Sequence, residues 1–418
     1  MNWRRRSARP SIATSPATLA SGPGTTIRSV DSILGDCSLA TLRTRTSHKW
    51  RTYPPDVLPA FVAEMDFDPA EQIKDAIRAA LAAGDLGYPH KGQLGEAFAE
   101  FASDRLNWSP DPDLVFAIPD VMTGITEVVQ ALVRPGGGVV INPPVYSPFF
   151  FRTQLAGRRI VEAPLAARPG GGYDFDLDAL DHALSLPGTG AYLLCNPHNP
   201  LGRVWSREQL TAIAELADRR GIPVLVDEIH APLVLPGARH VPFHTIAHPA
   251  AKRAIVFSSA SKGWNIPGLK CGIAVAGDTD GAAILAERWD ALLASHLGVH
   301  ATVAALRSAG AWLDAAVAQI DQNTTLLADL LAAQLPAVRY QRAEASFLAW
   351  LDCRELGLGH DPAAAFLTAG RVALSPGPDF GVQGNGFARL NIGTSPELVT
   401  EAVRRMAVAV GGEPAAAS

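Results

Sequence analysis

The sequence predicts an α/β protein, with a mostly parallel, helix-covered sheet in a large domain and a smaller α+β domain near the end. Two observations carry that expectation. From residue 117 onward, short runs that are apolar throughout, at 139–141, 191–194, 224–226, 255–257 and 272–275, alternate with helical patterns such as 123–133 and 206–220. Strands without polar alternation are buried on both faces, and strands alternating with helices build parallel sheets covered on each side. After about residue 287 the texture turns helical, with a long stretch at 301–334. The chain then closes in strand patterns at 347–351, 372–374 and 388–392, a short helix at 363–369 and a last helix from Pro396. Ligands on such sheets bind beyond the carboxyl ends of the strands.

Taken in order, residues 1–45 carry Arg4-Arg5-Arg6 and then many Ser, Ala, Thr, Pro and Gly residues. They read as a disordered arm, although their composition also resembles a transit peptide; no apolar segment of the secretory kind follows. Order is expected near Trp50, with Tyr53, Val57, Leu58, Phe61, Val62 and Met65 as anchors. Asp68-Pro69-Ala70-Glu71 spells a helix start, with Asp68 as N-cap and Pro69 at the first helical position. Ile73, Ala76, Ile77, Ala80 and Leu81 share one face, and Gly84 stops the helix. A second helix is expected at 94–106, and Ser206 with Gln209 forms a capping box for the helix that follows.

Bulk properties exclude several functions. At 418 residues with 48% hydrophobic content, the chain can bury two cores. A net charge of −5 leaves no electrostatic footprint for nucleic acid. No run of about 18 apolar residues exists, so no membrane contact is expected. Cys37, Cys195, Cys271 and Cys353 are scattered, without a C-x-x-C pair or a cluster at zinc spacing. They read as reduced thiols in a cytoplasm, and no metal site is expected. His198, His296 and His300 could line a pocket, but lone histidines near loops are more often ordinary, and they are left out of the candidate site.

The chemistry is concentrated around Ser258-Ser259-Ala260-Ser261-Lys262. Lysine becomes a catalyst when its amine condenses with a carbonyl, and small neighbours leave room for a bulky partner. Ser259 and Lys262 also fit the S-x-x-K pattern of serine β-lactamases, but the companions S-D-N and K-T-G are missing. Asp227, by contrast, ends the strand run 224–226, on the ligand side of the sheet. A carboxylate that keeps a pyridine nitrogen protonated, together with a lysine that holds the aldehyde, is the pairing pyridoxal phosphate requires.

Asn196-Pro197-His198-Asn199-Pro200-Leu201-Gly202, Asp227, Ser259-Ala260-Ser261-Lys262 and Arg389 occur in the order seen in fold-type I pyridoxal-phosphate enzymes, which the chain resembles from Trp50 to Met406. Closer still are the segments at 61–67, Gly87-Tyr88, Asn142-Pro143-Pro144-Val145-Tyr146, Asp227-Glu228-Ile229-His230 and 261–269. They resemble the PatB/MalY-type cystathionine β-lyases (C–S β-lyases) within the class I/II aminotransferase superfamily. His230 is part of that likeness, because aminotransferases commonly place tyrosine three residues after the aspartate.

The resemblance implies a seven-stranded-type, mostly parallel sheet in a domain at 91–300 that binds pyridoxal 5'-phosphate. Residues 46–90 would be an N-terminal segment of the small domain with dimer contacts, and 301–418 its C-terminal part. Lys262 would hold the cofactor and move the Cα proton, Asp227 would pair with the ring nitrogen, and Tyr146 would stack on the ring. Asn199 would meet the phenolic oxygen, with His230 nearby. Val121 and Met122 at a helix start, Ser259 and Lys270 would hold the phosphate; many relatives have arginine in the place of Lys270. Tyr88 would reach the phosphate of the other subunit of a homodimer with shared active sites, and Arg389 would grip the α-carboxylate of a small amino-acid substrate. The implied reaction is α,β-elimination of a cysteine S-conjugate such as L-cystathionine to thiol, pyruvate and ammonia. An aminotransferase on the same scaffold needs the same residues, and a non-catalytic regulatory protein is a more distant alternative.

Overall fold

The computed structural model describes residues 35–168 and 171–411. Its centre is a seven-stranded sheet. In chain order the strands are β1 (Val115–Ile118), β2 (Gly138–Ile141), β3 (Arg159–Glu162), β4 (Thr189–Cys195), β5 (Val224–Asp227), β6 (Ile255–Ser258) and β7 (Gly272–Ala276). In space they run β1-β7-β6-β5-β4-β2-β3. Only β7 is antiparallel to its neighbours, with Ile273 opposite Ser258 on one side and Ala117 on the other.

Side-chain alternation divides the apolar runs between two cores. Val140, Tyr192, Leu194, Val224, Val226 and Val256 face one layer of helices. Val139, Ile141, Leu193, Leu225, Ile255 and Phe257 face the other. Both layers are apolar, which is why these strands lack the polar alternation of a half-exposed sheet.

The helices follow the local signals with informative exceptions. The Ser206 capping box is present in both directions, and Gly221, at φ 66°, ends the helix Arg207–Arg220 in the left-handed region glycine tolerates. The helix expected at 123–133 runs Val121–Leu132, because Asp120 caps it by accepting from the Thr123 N–H. Asp68 does not cap the helix that follows it. That helix runs Glu71–Ala83 with no side-chain cap, while the Asp68 carboxylate pairs with Arg45 at 2.7 Å. A charged hydrogen bond to arginine outcompetes a neutral backbone N–H. The stretch expected at 301–334 is two helices, His296–Ser308 and Gly310–Gln334. At the break, the Ala309 carbonyl accepts from Trp264 Nε1 at 2.9 Å, and glycine follows as a weak helix former.

The smaller domain holds an antiparallel sheet of β8 (Arg339–Tyr340), β9 (Leu348–Asp352), β10 (Ser375–Pro376) and β11 (Phe387–Asn391), in the order β8-β9-β11-β10. Its core also takes in Leu42, Trp50, Leu58 and Ala60 from the N-terminal segment. A short helix, Leu39–Leu42, buries Leu42 there, so order begins ahead of Trp50 and includes part of the stretch read as an arm. Residues 1–34, with Arg4-Arg5-Arg6, lie outside the described residues. Met65, Phe67, Ala70 and Ile73 pack into the large domain's core, so this one segment ties the domains together.

Candidate active site

The strand ends converge as the doubly wound topology requires. Beyond β1 lie Val121 and Met122, beyond β2 Tyr146, and beyond β4 Asn199. Asp227 closes β5, and β6 leads through Ser259 to Lys262 in the one-turn helix Ala260–Gly263. These residues, with His230 and Lys270, line one cavity of about 290 Å³. A larger cavity of about 390 Å³ beside Trp350 contains several arginines, but Arg203, Arg339 and Arg354 are paired with Glu344, Glu355 and Asp352.

Local geometry explains the placement. The turn after Asn199 needs Gly202, at φ 64°, since a Cβ there would sit 2.5 Å from that of Ala343. The lysine loop is pinned by Asn265, which accepts from the Met65 N–H at 2.8 Å and donates to the Met65 and Phe67 carbonyls. Those bonds bring the 61–67 segment over the cavity, where the Ala63 carbonyl accepts from Lys262 Nζ at 2.7 Å.

The charges here are under-compensated. Burial, helped by the positive charge of Arg389, lowers the Lys262 amine to about 8. Burial raises the Asp227 carboxyl to about 7, against the pull of the Ile229 N–H and Lys262. That N–H, at 3.0 Å, is the hydrogen bond holding the carboxylate. Burial and the charges of Lys262 and Arg389 depress His230 to about 3, and its Nδ1 has no partner. Tyr146 is raised to about 12, mainly by burial and then by Asp227.

Arg389 enters from β11. Its Nη1 donates to Asn199 Oδ1 at 3.1 Å, and its Nη2 donates to the Phe61 carbonyl and Ser375 Oγ, both at 2.9 Å. The guanidinium lies 5.0 Å from the Phe380 ring centroid, and Nε is unpaired. Burial lowers it to about 10. Arginine keeps its charge even so, and the fork remains suited to a carboxylate.

At the other end of the cavity, the Asp120 carboxylate takes the Thr123 N–H and the Asp120 carbonyl takes that of Gly124. The first helical N–H groups, at Val121 and Met122, are thereby left for an anion. Lys270 pairs with Asp120. Burial pushes Asp120 upward, but Lys270 and the Thr123 N–H outweigh it and hold the carboxyl below its ordinary value. Ser259 Oγ donates to the Cys271 carbonyl at 2.9 Å and accepts from the Ser261 N–H at 3.0 Å.

A cofactor carrying a cationic ring at one end and a phosphate at the other fits this cavity. Asp227, raised to about 7 by burial, has no ion-pair partner among the described residues, His230 Nδ1 is orphaned, and the helix start at Val121 and Met122 lines the same cavity as Lys270. Tyr88 is not part of the cavity; it is 91% exposed. Sequence reasoning missed Asp120 and Ser375. Asp120 was legible as a cap from its spacing to Thr123, whereas Ser375 meets Arg389 only across strand pairing.

The family described as aminotransferase class I and II matches residues 62–406. The chain belongs to that family. A Mycobacterium leprae relative is 43% identical over 395 residues, covering 89% of this chain and 97% of its own. The Bacillus subtilis protein named cystathionine beta-lyase PatB is 35% identical over 363 residues, covering 85% of this chain and 93% of its own. The crystal structure of the PLP-bound C-S lyase from Staphylococcus hominis superposes with a TM-score of 0.81 at 26% identity, over 87% of this chain and 96% of that one. As a member of this pyridoxal-phosphate family, the chain has the large-domain sheet expected of it, and no described helix is long and apolar enough to cross a membrane.

Proposed function

We propose that the protein is a pyridoxal-phosphate-dependent C–S β-lyase that cleaves L-cystathionine or a related cysteine S-conjugate to thiol, pyruvate and ammonia. One observation carries the reading. Asp227 and Lys262 come from two different elements to a single cavity, and Arg389, from a third, bonds Asn199 on its wall, in a chain related over most of its length to a cystathionine β-lyase. Pyridoxal phosphate, when bound, supplies an electron sink for charge developing at the substrate's Cα.

Asp227 would face the ring nitrogen, where its buried negative charge keeps that nitrogen protonated. The Val121 and Met122 N–H groups, Ser259 and Lys270 would hold the phosphate, with Lys270 shared between it and Asp120. Tyr146 would pack on the ring, with Asn199 and His230 beside its phenolic oxygen. Arg389, with its unpaired Nε, would take the substrate carboxylate. Lys262 would hold the cofactor and then act as base. An amine lowered to about 8 has a neutral fraction of about one in ten at pH 7, far more than an ordinary lysine, and the neutral form is what a base at Cα requires. It takes the Cα proton, the electron pair left behind expels sulfur from Cβ, and the thiolate acquires a proton. One water then converts the remaining unsaturated amino acid to pyruvate and ammonia.

The same reading makes the enzyme a cytoplasmic homodimer. The four cysteines are unpaired, as a reducing compartment keeps them. Tyr88 and Leu86 stand 91% and 59% exposed on one turn, where a second subunit would cover them and Tyr88 would reach its phosphate. The test is to offer cystathionine to the protein loaded with pyridoxal phosphate and to follow thiol and pyruvate. Equimolar release of both is expected. Amino transfer to a 2-oxo acid without pyruvate release would replace the lyase reading with the aminotransferase one.

A further inference from the structure

Two histidines that the sequence left as ordinary meet a carboxylate outside the cofactor cavity. His296 and His300 are one helical turn apart at the start of His296–Ser308, a spacing that puts both rings on one face. Across from them, Asp85 follows the end of Glu71–Ala83. His296 Nε2 lies 3.1 Å from Asp85 Oδ1, and His300 Nε2 lies 3.4 Å from Asp85 Oδ2. The two Nε2 atoms are 3.3 Å apart.

These separations have a geometric meaning. With metal–ligand bonds of about 2.0–2.1 Å, the corners of a tetrahedron lie about 3.3–3.4 Å apart. The two imidazole nitrogens and the carboxylate therefore already lie near the edge lengths of a zinc-sized tetrahedron, each nitrogen against a different oxygen of Asp85. The rings are near perpendicular, at 86°, so both can aim a nitrogen at one point without stacking. In the single chain, exposure falls from 53% for the Asp85 side chain to 40% for His300 and 17% for His296, which leaves the fourth corner open on that side. Among the described residues, this is the one cluster of at least three ligand-type side chains whose donor atoms converge in this way.

We propose that Asp85, His296 and His300 form a binding site for a divalent ion of the zinc class, joining the turn at 84–88 to the helix that begins at His296. Two imidazoles and a carboxylate suit Zn²⁺ or Co²⁺ better than Mg²⁺ or Ca²⁺, which favour oxygen. The site is separate from the cofactor's contacts yet mechanically near them, because Ser295, the cap of the same helix, donates its N–H to the Lys270 carbonyl at 2.9 Å. Bound metal would thus fasten the turn carrying Tyr88 to a helix anchored on the cavity wall.

The test uses the protein loaded with pyridoxal phosphate and treated with chelator, titrated with Zn²⁺ by calorimetry and with Co²⁺ by visible absorbance. One Zn²⁺ per chain, a raised melting temperature and the intense visible bands of four-coordinate Co²⁺ are expected. H296A, H300A and the shape-preserving D85N should each weaken binding by roughly a hundredfold, as loss of a ligand should at least match loss of a supporting contact. H182A, at an exposed histidine on Leu177–Ser185, should bind as the parent does. Unaltered affinity in D85N and H300A, or a six-coordinate cobalt spectrum, would overturn the proposal and leave an ordinary His–Asp–His hydrogen-bond cluster. Either result is independent of which reaction the cofactor site performs.

Discussion

Two buried charge clusters, both close to the 61–67 segment, have opposite designs. In the first, Lys49 and Asp66 are almost wholly buried and complete. Lys49 Nζ donates to Asp66 Oδ2 at 2.8 Å and to the Glu64 carbonyl at 3.1 Å, while Trp50 Nε1 supplies Asp66 Oδ1 at 3.1 Å. In the second, Asp227, His230 and Lys262 share a cavity, with Arg389 bonded to Asn199 on its wall, and the group has unpaired atoms and displaced titration. Even adjacent residues divide this way, since Glu228 is filled by His240 at 3.2 Å and the Phe243 N–H at 2.8 Å, whereas Asp227 faces the cavity. A closed cluster fixes one segment against another. A cluster left short of partners is built for a visitor that brings them.

The comparison breaks most sharply at Lys262. Lys262→Ala should lower thiol release by at least about 10³-fold, the scale of losing a positioned base, and should abolish the visible absorbance of lysine-bound pyridoxal phosphate. Its thermal midpoint without cofactor should not fall, because the substitution removes a buried amine that desolvation already disfavours. Lys49→Met should show the reverse pattern. Stranding the Asp66 charge should cost about 3–5 kcal/mol in urea unfolding, with the cofactor absorbance intact in the protein that remains folded. If Lys49→Met proved neutral for stability, the closed cluster would not be the clamp described.

Much of this was legible in the sequence, for reasons that differ by residue. Strand ends are local signals, so Asp227 and Asn199 could be placed on the ligand side, and family likeness supplied Tyr146 and Lys270. Helix starts were readable where a cap had no rival, as at Ser206. They failed at Asp68, which a distant arginine claims. Contacts across the fold left no local trace: nothing in a linear reading joins Ser375 to Arg389, or Asp85 to a histidine pair two hundred residues away. His296 and His300 are four residues apart in the sequence, but nothing in the sequence points to the third ligand.

Arg389 gives the next-largest expected effect. Arg389→Ala removes the fork and leaves the Phe61 carbonyl, Ser375 Oγ and Asn199 Oδ1 without their donor. KM for the amino acid should rise about a hundredfold, within the range for losing one side of a buried charged contact, while the cofactor absorbance persists. An unchanged KM would move the carboxylate elsewhere in the cavity.

The smallest effect is the most diagnostic of an incomplete cluster, and it is read in the cofactor-free chain. Burial raises the Asp227 carboxyl to about 7 from its ordinary 3.8, so between those limits the folded form holds a proton that the unfolded chain has lost. Stability contributed by Asp227 must therefore fall as pH rises through that window. His230, depressed to about 3 from 6.5, acts in the opposite sense over nearly the same range, and Lys262 acts only between about 8 and 10.5. Comparing the parent with Asp227→Asn cancels the histidine, which both retain. The variant should gain stability relative to the parent as pH is raised from 4 to 7, measured by urea unfolding at each pH. With pyridoxal phosphate bound the advantage should reverse, since only the carboxylate can pair with a cationic ring. A parent-minus-variant difference that stayed flat across that window would mean Asp227 is already compensated by the protein and is not waiting for a ligand.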